Sequence, residues 1–158
     1  MSLSTQSRNR GFSLIELVVV VVIIGIIAAI AIPRMSRGAA GASDSSLIAD
    51  LAQLRNSIDL FYTENNNAFP KVADMPNALI AYSDGTGTVS ATKTGNYIYG
   101  PYMRAVPPQP VGAARGGTTI AAAAAAGVGW IYTETTGVIK ANTTNAEVDV
   151  KGVQYNTY

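Results

Sequence analysis

The chain has 158 residues, with 11 Lys plus Arg against 10 Asp plus Glu and neither histidine nor cysteine. That length suffices for one small domain beside a long helix, and a net charge of +1 gives no electrostatic footprint for nucleic acid. Without histidine the commonest general base and metal ligand is missing, and without cysteine there is no disulfide framework.

The first element is an apolar stretch. Residues 11–32 read GFSLIELVVVVVIIGIIAAIAI. From Phe12 to Ile32 is 21 residues, roughly 31 Å at the helical rise and so about the thickness of a bilayer's hydrocarbon core. Its single charge is Glu16. A carboxylate inside such a segment costs about 2–3 kcal/mol, and less near an end. Arg8 and Arg10 precede the stretch, as they would in a secretory signal peptide. The apolar core is too long for one, however, and no A-x-A-like site follows at a sensible distance. A simple membrane anchor accounts for the hydrophobicity but has no use for Glu16. Val18 to Ile30 are β-branched or small without a polar face, so this helix is expected to be surrounded by lipid or by sister helices. Gly25 allows close backbone approach. Pro33 cannot donate to Ala29 and would kink or locally loosen the helix; a bend at the membrane exit and an unwinding segment are both compatible with it. Counting basic residues does not orient the segment, since Arg8 and Arg10 face Arg34 and Arg37 across it.

Beyond the apolar stretch, Leu47, Leu51, Leu54, Ile58 and Phe61 recur at helical spacing. They predict an amphipathic helix whose stripe packs under a sheet, with Asp50, Arg55, Asp59 and Glu64 mostly off the stripe. Ser43 or Asp44 could cap a fresh start after Gly38 and Gly41, so a broken and a continuous helix are both open. Asn65, Asn66, Asn67 and Pro70 stop it. Residues 70–96 read as loop, with Asp84-Gly85-Thr86-Gly87 a turn. Tyr97 to Tyr102 and the prolines 107, 108 and 110 read as a short extended piece and a rigid turn, the tyrosines lining the core over the helix. Gly112 to Gly129 is low in complexity and reads as an irregular loop despite Ala121 to Ala126. Residues 129–133 and 137–141 flank a glycine-bearing turn and predict a β-hairpin. Residues 147–155 alternate and form an edge strand or a tail.

The run Arg10-Gly11-Phe12-Ser13-Leu14-Ile15-Glu16-Leu17, with Gly25 and Pro33 downstream, resembles the signal of type IV pilins and type II secretion pseudopilins. The run GPYMRAVPPQPVG is similar to the same region of proteins related to the major pseudopilin. The resemblance implies an α+β, pilin-like fold in which a long hydrophobic N-terminal helix packs on a small antiparallel β-sheet domain. It divides the chain into a cleaved leader, 1–11, a transmembrane and assembly half-helix, 12–35, and a remainder, 36–158, holding the rest of the helix and a small head outside the cytoplasm. It implies cleavage between Gly11 and Phe12 by the prepilin peptidase, N-methylation of Phe12, and assembly roles for Glu16, Gly25 and Pro33. The new cationic amine of Phe12 would lie one helical turn from Glu16. In low dielectric the two attract strongly, between neighbouring subunits or within one.

No H-E-x-x-H, P-loop, G-x-S-x-G or zinc spacing occurs, so neither catalytic residues nor metal ligands are assigned and the chain is read as a structural protein, not an enzyme. Major pseudopilins bind calcium near the C-terminus. No aligned oxygen-ligand cluster is evident here, although Glu147 and Asp149 could contribute to a cation site; no other cofactor is expected. The implied role is a subunit, single-pass in the inner membrane, that polymerises into a helical filament in the periplasm or at the surface. Its partners would be the lipid bilayer, copies of itself, minor pseudopilins, and an inner-membrane assembly platform with its ATPase. The missing disulfide favours a secretion pseudopilus, because many type IV pilins carry one; a surface pilus for adhesion, motility or DNA uptake is the alternative.

Overall fold

The computed structural model describes residues 11–158; the leader residues 1–10, with Arg8 and Arg10, lie outside the described residues. The chain divides into two compact units, Met1–Gly38 and Ala39–Tyr158. A helix α1, Leu14–Glu64, contributes to both. No break occurs at Gly38 or Gly41. The serine there makes no cap: the Ser43 hydroxyl donates back to the Ala39 carbonyl at 3.2 Å, and the Ser45 hydroxyl to that of Gly41 at 2.9 Å, the interior alternative open to short polar side chains.

In the first unit, Leu14–Ile32 has a mean hydropathy of 3.2 with none of its length buried. Among the described residues it is the one helix long and apolar enough to cross a membrane. Leu14, Ile15, Ile24, Ile27 and Ile32 are all exposed, which fits an anchor whose solvent is hydrocarbon.

The second unit is built on the other end of α1. Leu47, Leu51, Leu54, Ile58 and Phe61 are each at most 1% exposed, as their spacing predicts. The first four join Leu79, Met103, Val106, Val111, Ile120, Trp130, Tyr132 and Ile139 in one apolar cluster. Residues 70–96 hold more structure than a loop: a 3-10 turn at Val72–Asp74, a one-turn helix α2 at Asn77–Ile80, and a two-residue antiparallel pair, β1 Tyr82–Ser83 with β2 Val89–Ser90. The Asp84 carboxylate closes the β1–β2 turn by accepting from the amides of Thr86 and Thr88 at 2.9 and 3.1 Å. Tyr102 packs edge-on against Phe61, ring centroids 5.9 Å apart, so this tyrosine lines the helix, whereas Tyr99 is half-buried and bridges to Ser83.

The main sheet has the order β3-β4-β5: Thr119–Ala121, Val128–Thr133 and Val138–Ala141. The predicted hairpin is β4–β5, antiparallel, with Trp130 opposite Ala141 and Thr133 opposite Val138. Trp130, Tyr132, Ile139 and Ala141 point inward while Thr133, Val138 and Lys140 face out, the period of a half-buried strand. The polar tips of both buried aromatics are satisfied by loop carbonyls: Trp130 Nε1 donates to Pro107 at 2.9 Å and the Tyr132 hydroxyl to Pro70 at 3.0 Å. The proline loops are thereby tied to the sheet.

Two features differ from expectation. The alanine-rich stretch is not all loop, since Thr119–Ala121 forms β3, and β3 runs parallel to β4, so the sheet is mixed rather than wholly antiparallel. A parallel neighbour ordinarily needs a long crossover. Here β3 has only three residues, a return of roughly 10 Å, and residues 122–127 can span about 20 Å when extended. The crossing is close. A Cβ built on Gly129 would fall inside the contact distance of the Gly117 carbonyl, and one on Gly117 would lie 2.8 Å from the Gly129 nitrogen. Gly129→Ala should therefore destabilise this unit by about 3 kcal/mol, the upper end of overpacking costs, while Gly127→Ala, at a site with no neighbour within 4 Å, should cost only its left-handed strain of about 1 kcal/mol. Thermal unfolding of the detergent-solubilised chain, followed by fluorescence of Trp130, measures both.

Candidate assembly and processing site

The site is built at the start of α1. Gly11 and Phe12 precede the helix and are exposed, Phe12 at 87%. Ser13 is the residue before the first helical position, and its carbonyl accepts the Leu17 amide at 3.2 Å. Glu16 is then the third helical residue, and its Oε2 accepts the Ser13 backbone N–H at 2.9 Å. This is the reach-back half of an S-x-x-E capping box, satisfying an N–H that the helix itself leaves without a partner. The carboxylate also sits where the helix dipole is positive, which favours negative charge. Phe12, Ile15, Glu16, Val19 and Val20 line a shallow groove of about 370 Å³, so the acid lies in an apolar surround.

Of the two expected partners for Glu16, an amine on its own chain and one on a neighbour, neither is present while Gly11 is still joined to Phe12. The observed partner is the Ser13 amide, and Oε1 has no hydrogen bond among the described residues. Ser13 is thus a residue of the site that the sequence reading passed over, although S-x-x-E ahead of an apolar run is a recognised signature. The structure brings Phe12 and Glu16 together. It leaves Gly25 and Pro33 well along α1, away from the groove. A Cβ on Gly25 would meet no atom within 4 Å, so no contact within the chain requires a glycine there.

The other acids singled out from the sequence lie in the second unit. Glu147 accepts from the backbone amides of Thr144 at 2.7 Å and Ala113 at 2.5 Å, and from the Thr144 hydroxyl at 3.1 Å. Asp149 accepts from the Tyr158 hydroxyl at 2.5 Å and the amides of Val153 and Lys151 at 2.7 and 2.8 Å. A calcium ion takes six to eight oxygens. Here each carboxylate accepts from three protein donors instead, and among the described residues no group of three acid, histidine or cysteine side chains surrounds either one. Both serve as turn ties. Residues 147–155 form no strand, only an isolated bridge between Val148 and Gln154.

Those ties depress both acids. The Tyr158 hydroxyl chiefly holds Asp149 below its ordinary 3.8, and the Thr144 amide, then that of Ala113, hold Glu147 below 4.5. A carboxyl lowered on folding stabilises above its unfolded pKa, and that stabilisation is lost as pH falls through the folded value. Burial raises Asp50, which acts with the opposite sign. The midpoint read from Trp130 fluorescence should be nearly flat between about pH 7 and pH 5 and fall below about pH 4. Asp149→Asn should flatten that fall.

The comparisons agree with the chemistry of the helix start. Residues 6–32 match the family model of the prokaryotic N-terminal methylation motif. Neither the curated proteins nor the solved structures compared gave a match to the chain. With that motif joined to an apolar helix capped by Glu16, the chain carries the leader of type IV pilins and pseudopilins.

Proposed function

We propose that the protein is a type II secretion pseudopilin, a structural subunit that is cut between Gly11 and Phe12, methylated on Phe12, and polymerised into a short filament serving protein export. The observation that carries the subunit reading is the placement of Glu16, one acid in the third position of α1 and the one charge of its apolar span, inside the matched motif; the absence of cysteine favours a secretion pseudopilus over a surface pilus. Cleavage would put a cationic amine four residues before Glu16. The Ser13 amide holds Oε2, and Oε1 remains for a cation. An incoming subunit whose Phe12 amine meets that oxygen enters at a fixed axial register, because the pair is strong in low dielectric and weak elsewhere. Leu14–Ile32 supplies the cohesive surface, exposed all round. Gly25 would admit a sister helix, which agrees with the open space around it. Pro33, lacking an N–H, is where the helix would deform during assembly. The partners under this reading are the prepilin peptidase, the inner-membrane platform with its ATPase, and minor pseudopilins. The second unit would lie outside the cytoplasm, and no catalytic step or cofactor is assigned to it.

Glu16→Gln separates charge from capping, since an amide oxygen still accepts the Ser13 N–H. The variant should insert normally and yield at least tenfold fewer filaments by electron microscopy and shear fractionation. Normal filaments from it would remove the electrostatic register. Gly11→Leu should accumulate precursor on gels; N-terminal sequencing that still begins at Phe12 would contradict the cleavage assignment.

A further inference from the structure

The sequence offered Asp44 as a helix cap, and it is nothing of the kind. It lies inside α1 with only 7% of its surface exposed. Its carboxylate is met from far along the chain: Oδ2 accepts the Val150 amide at 3.1 Å and Oδ1 the Tyr155 hydroxyl at 2.7 Å. Arg55, eleven residues on, lies almost directly in line with Asp44, since eleven steps are about three helical turns. Its guanidinium donates to the main-chain oxygens of Tyr158 at 2.5 Å and Ile139 at 3.3 Å. Residues 147–158 are thus gripped at two points on one face of α1, by an acid that takes their donors and a base that takes their acceptor.

The remaining attachments are polar or half-exposed: Glu147 accepts the Ala113 amide and Asn156 Nδ2 donates to the Thr143 carbonyl at 3.5 Å. Val148, Val150 and Val153 are 43%, 59% and 43% exposed. Tyr155 and Tyr158 are only partly buried against the core, with ring centroids 6.5 Å apart. The segment has no strand pairing beyond the Val148–Gln154 bridge and ends in a 3-10 turn, Tyr155–Thr157. Its internal order comes from Asp149, tied to Lys151, Val153 and Tyr158. Few buried apolar contacts and mostly polar anchoring are the marks of a low-stability cooperative unit.

We infer that residues 147–158 form a latch that opens as a unit of its own, keyed by Asp44 and Arg55, while β4 and β5 stay folded. Asp44 is the controlling group, because its carboxylate accepts both of the donors that the segment sends to α1, the Val150 amide and the Tyr155 hydroxyl.

Hydrogen exchange of the full chain in detergent, read by mass spectrometry, tests this. Peptides covering 147–158 should exchange at least tenfold faster than those covering 128–141. Asp44→Asn should accelerate the former tenfold or more and leave the latter unchanged. Tyr155→Phe keeps the ring and removes one donor, so it should shift the same peptides in the same direction by less. It serves as the deciding variant if Asp44→Asn does not accumulate. Exchange of both regions in step in the native chain, or equal acceleration of both by either substitution, would overturn the latch.

Discussion

One helix has to answer to two different surroundings, and its sequence changes pattern to do so. Over Leu14–Ile32 it is apolar on every side and wholly unburied by its own chain. From Leu47 to Phe61 only one stripe is apolar, and that stripe is buried almost completely. An all-round apolar surface is stable only in hydrocarbon or among similar helices, whereas a single stripe is satisfied by a sheet of its own chain. The main sheet and α2 cover the stripe. Trp130, Tyr132 and Ile139 supply the sheet face, and Leu79, Met103 and Val111 close the sides.

Charge is used sparingly and at the ends of things. Glu16 stands at the third position of α1, where it answers an amide that no helical carbonyl reaches. That arrangement lowers the cost of carrying an acid in an apolar segment without consuming the whole carboxylate. Asp44 shows the same economy inside the second unit, with one acid serving two donors that arrive from more than a hundred residues away.

The loops are held by polar ties to aromatic and glycine positions rather than by regular pairing. Gly137, at φ +70°, lies directly under the Phe69 ring, so the β4–β5 turn is shaped both by its own backbone and by the segment that follows α1. Gln109, 1% exposed, pairs its backbone with Gly116 and Gly117 and sends its amide to the Val111 carbonyl. The proline run is thereby fastened beside the alanine-rich stretch, which delivers β3 to the sheet.

How much was legible in the sequence depended on how local the cause was. The apolar span, the stripe at 47–61, the β4–β5 hairpin and the motif around Glu16 were all readable, because each rests on spacing along one helix or across one turn. The S-x-x-E box was equally local and was there to be seen. The parallel direction of β3 and the partners of Asp44, Arg55 and Glu147 were not readable. A three-residue strand carries no periodicity, and an alanine run carries no preference strong enough to predict pairing. Whether Asp44 begins a helix or anchors a distant tyrosine is decided by which donors the finished fold brings to it, and the donors lie outside any window of sequence. Local pattern alone settled where the chain is apolar, where it turns and where the one charge of its apolar span stands. Only the tertiary structure decided which polar groups meet, because hydrogen bonds between distant segments depend on the close packing that the apolar core imposes.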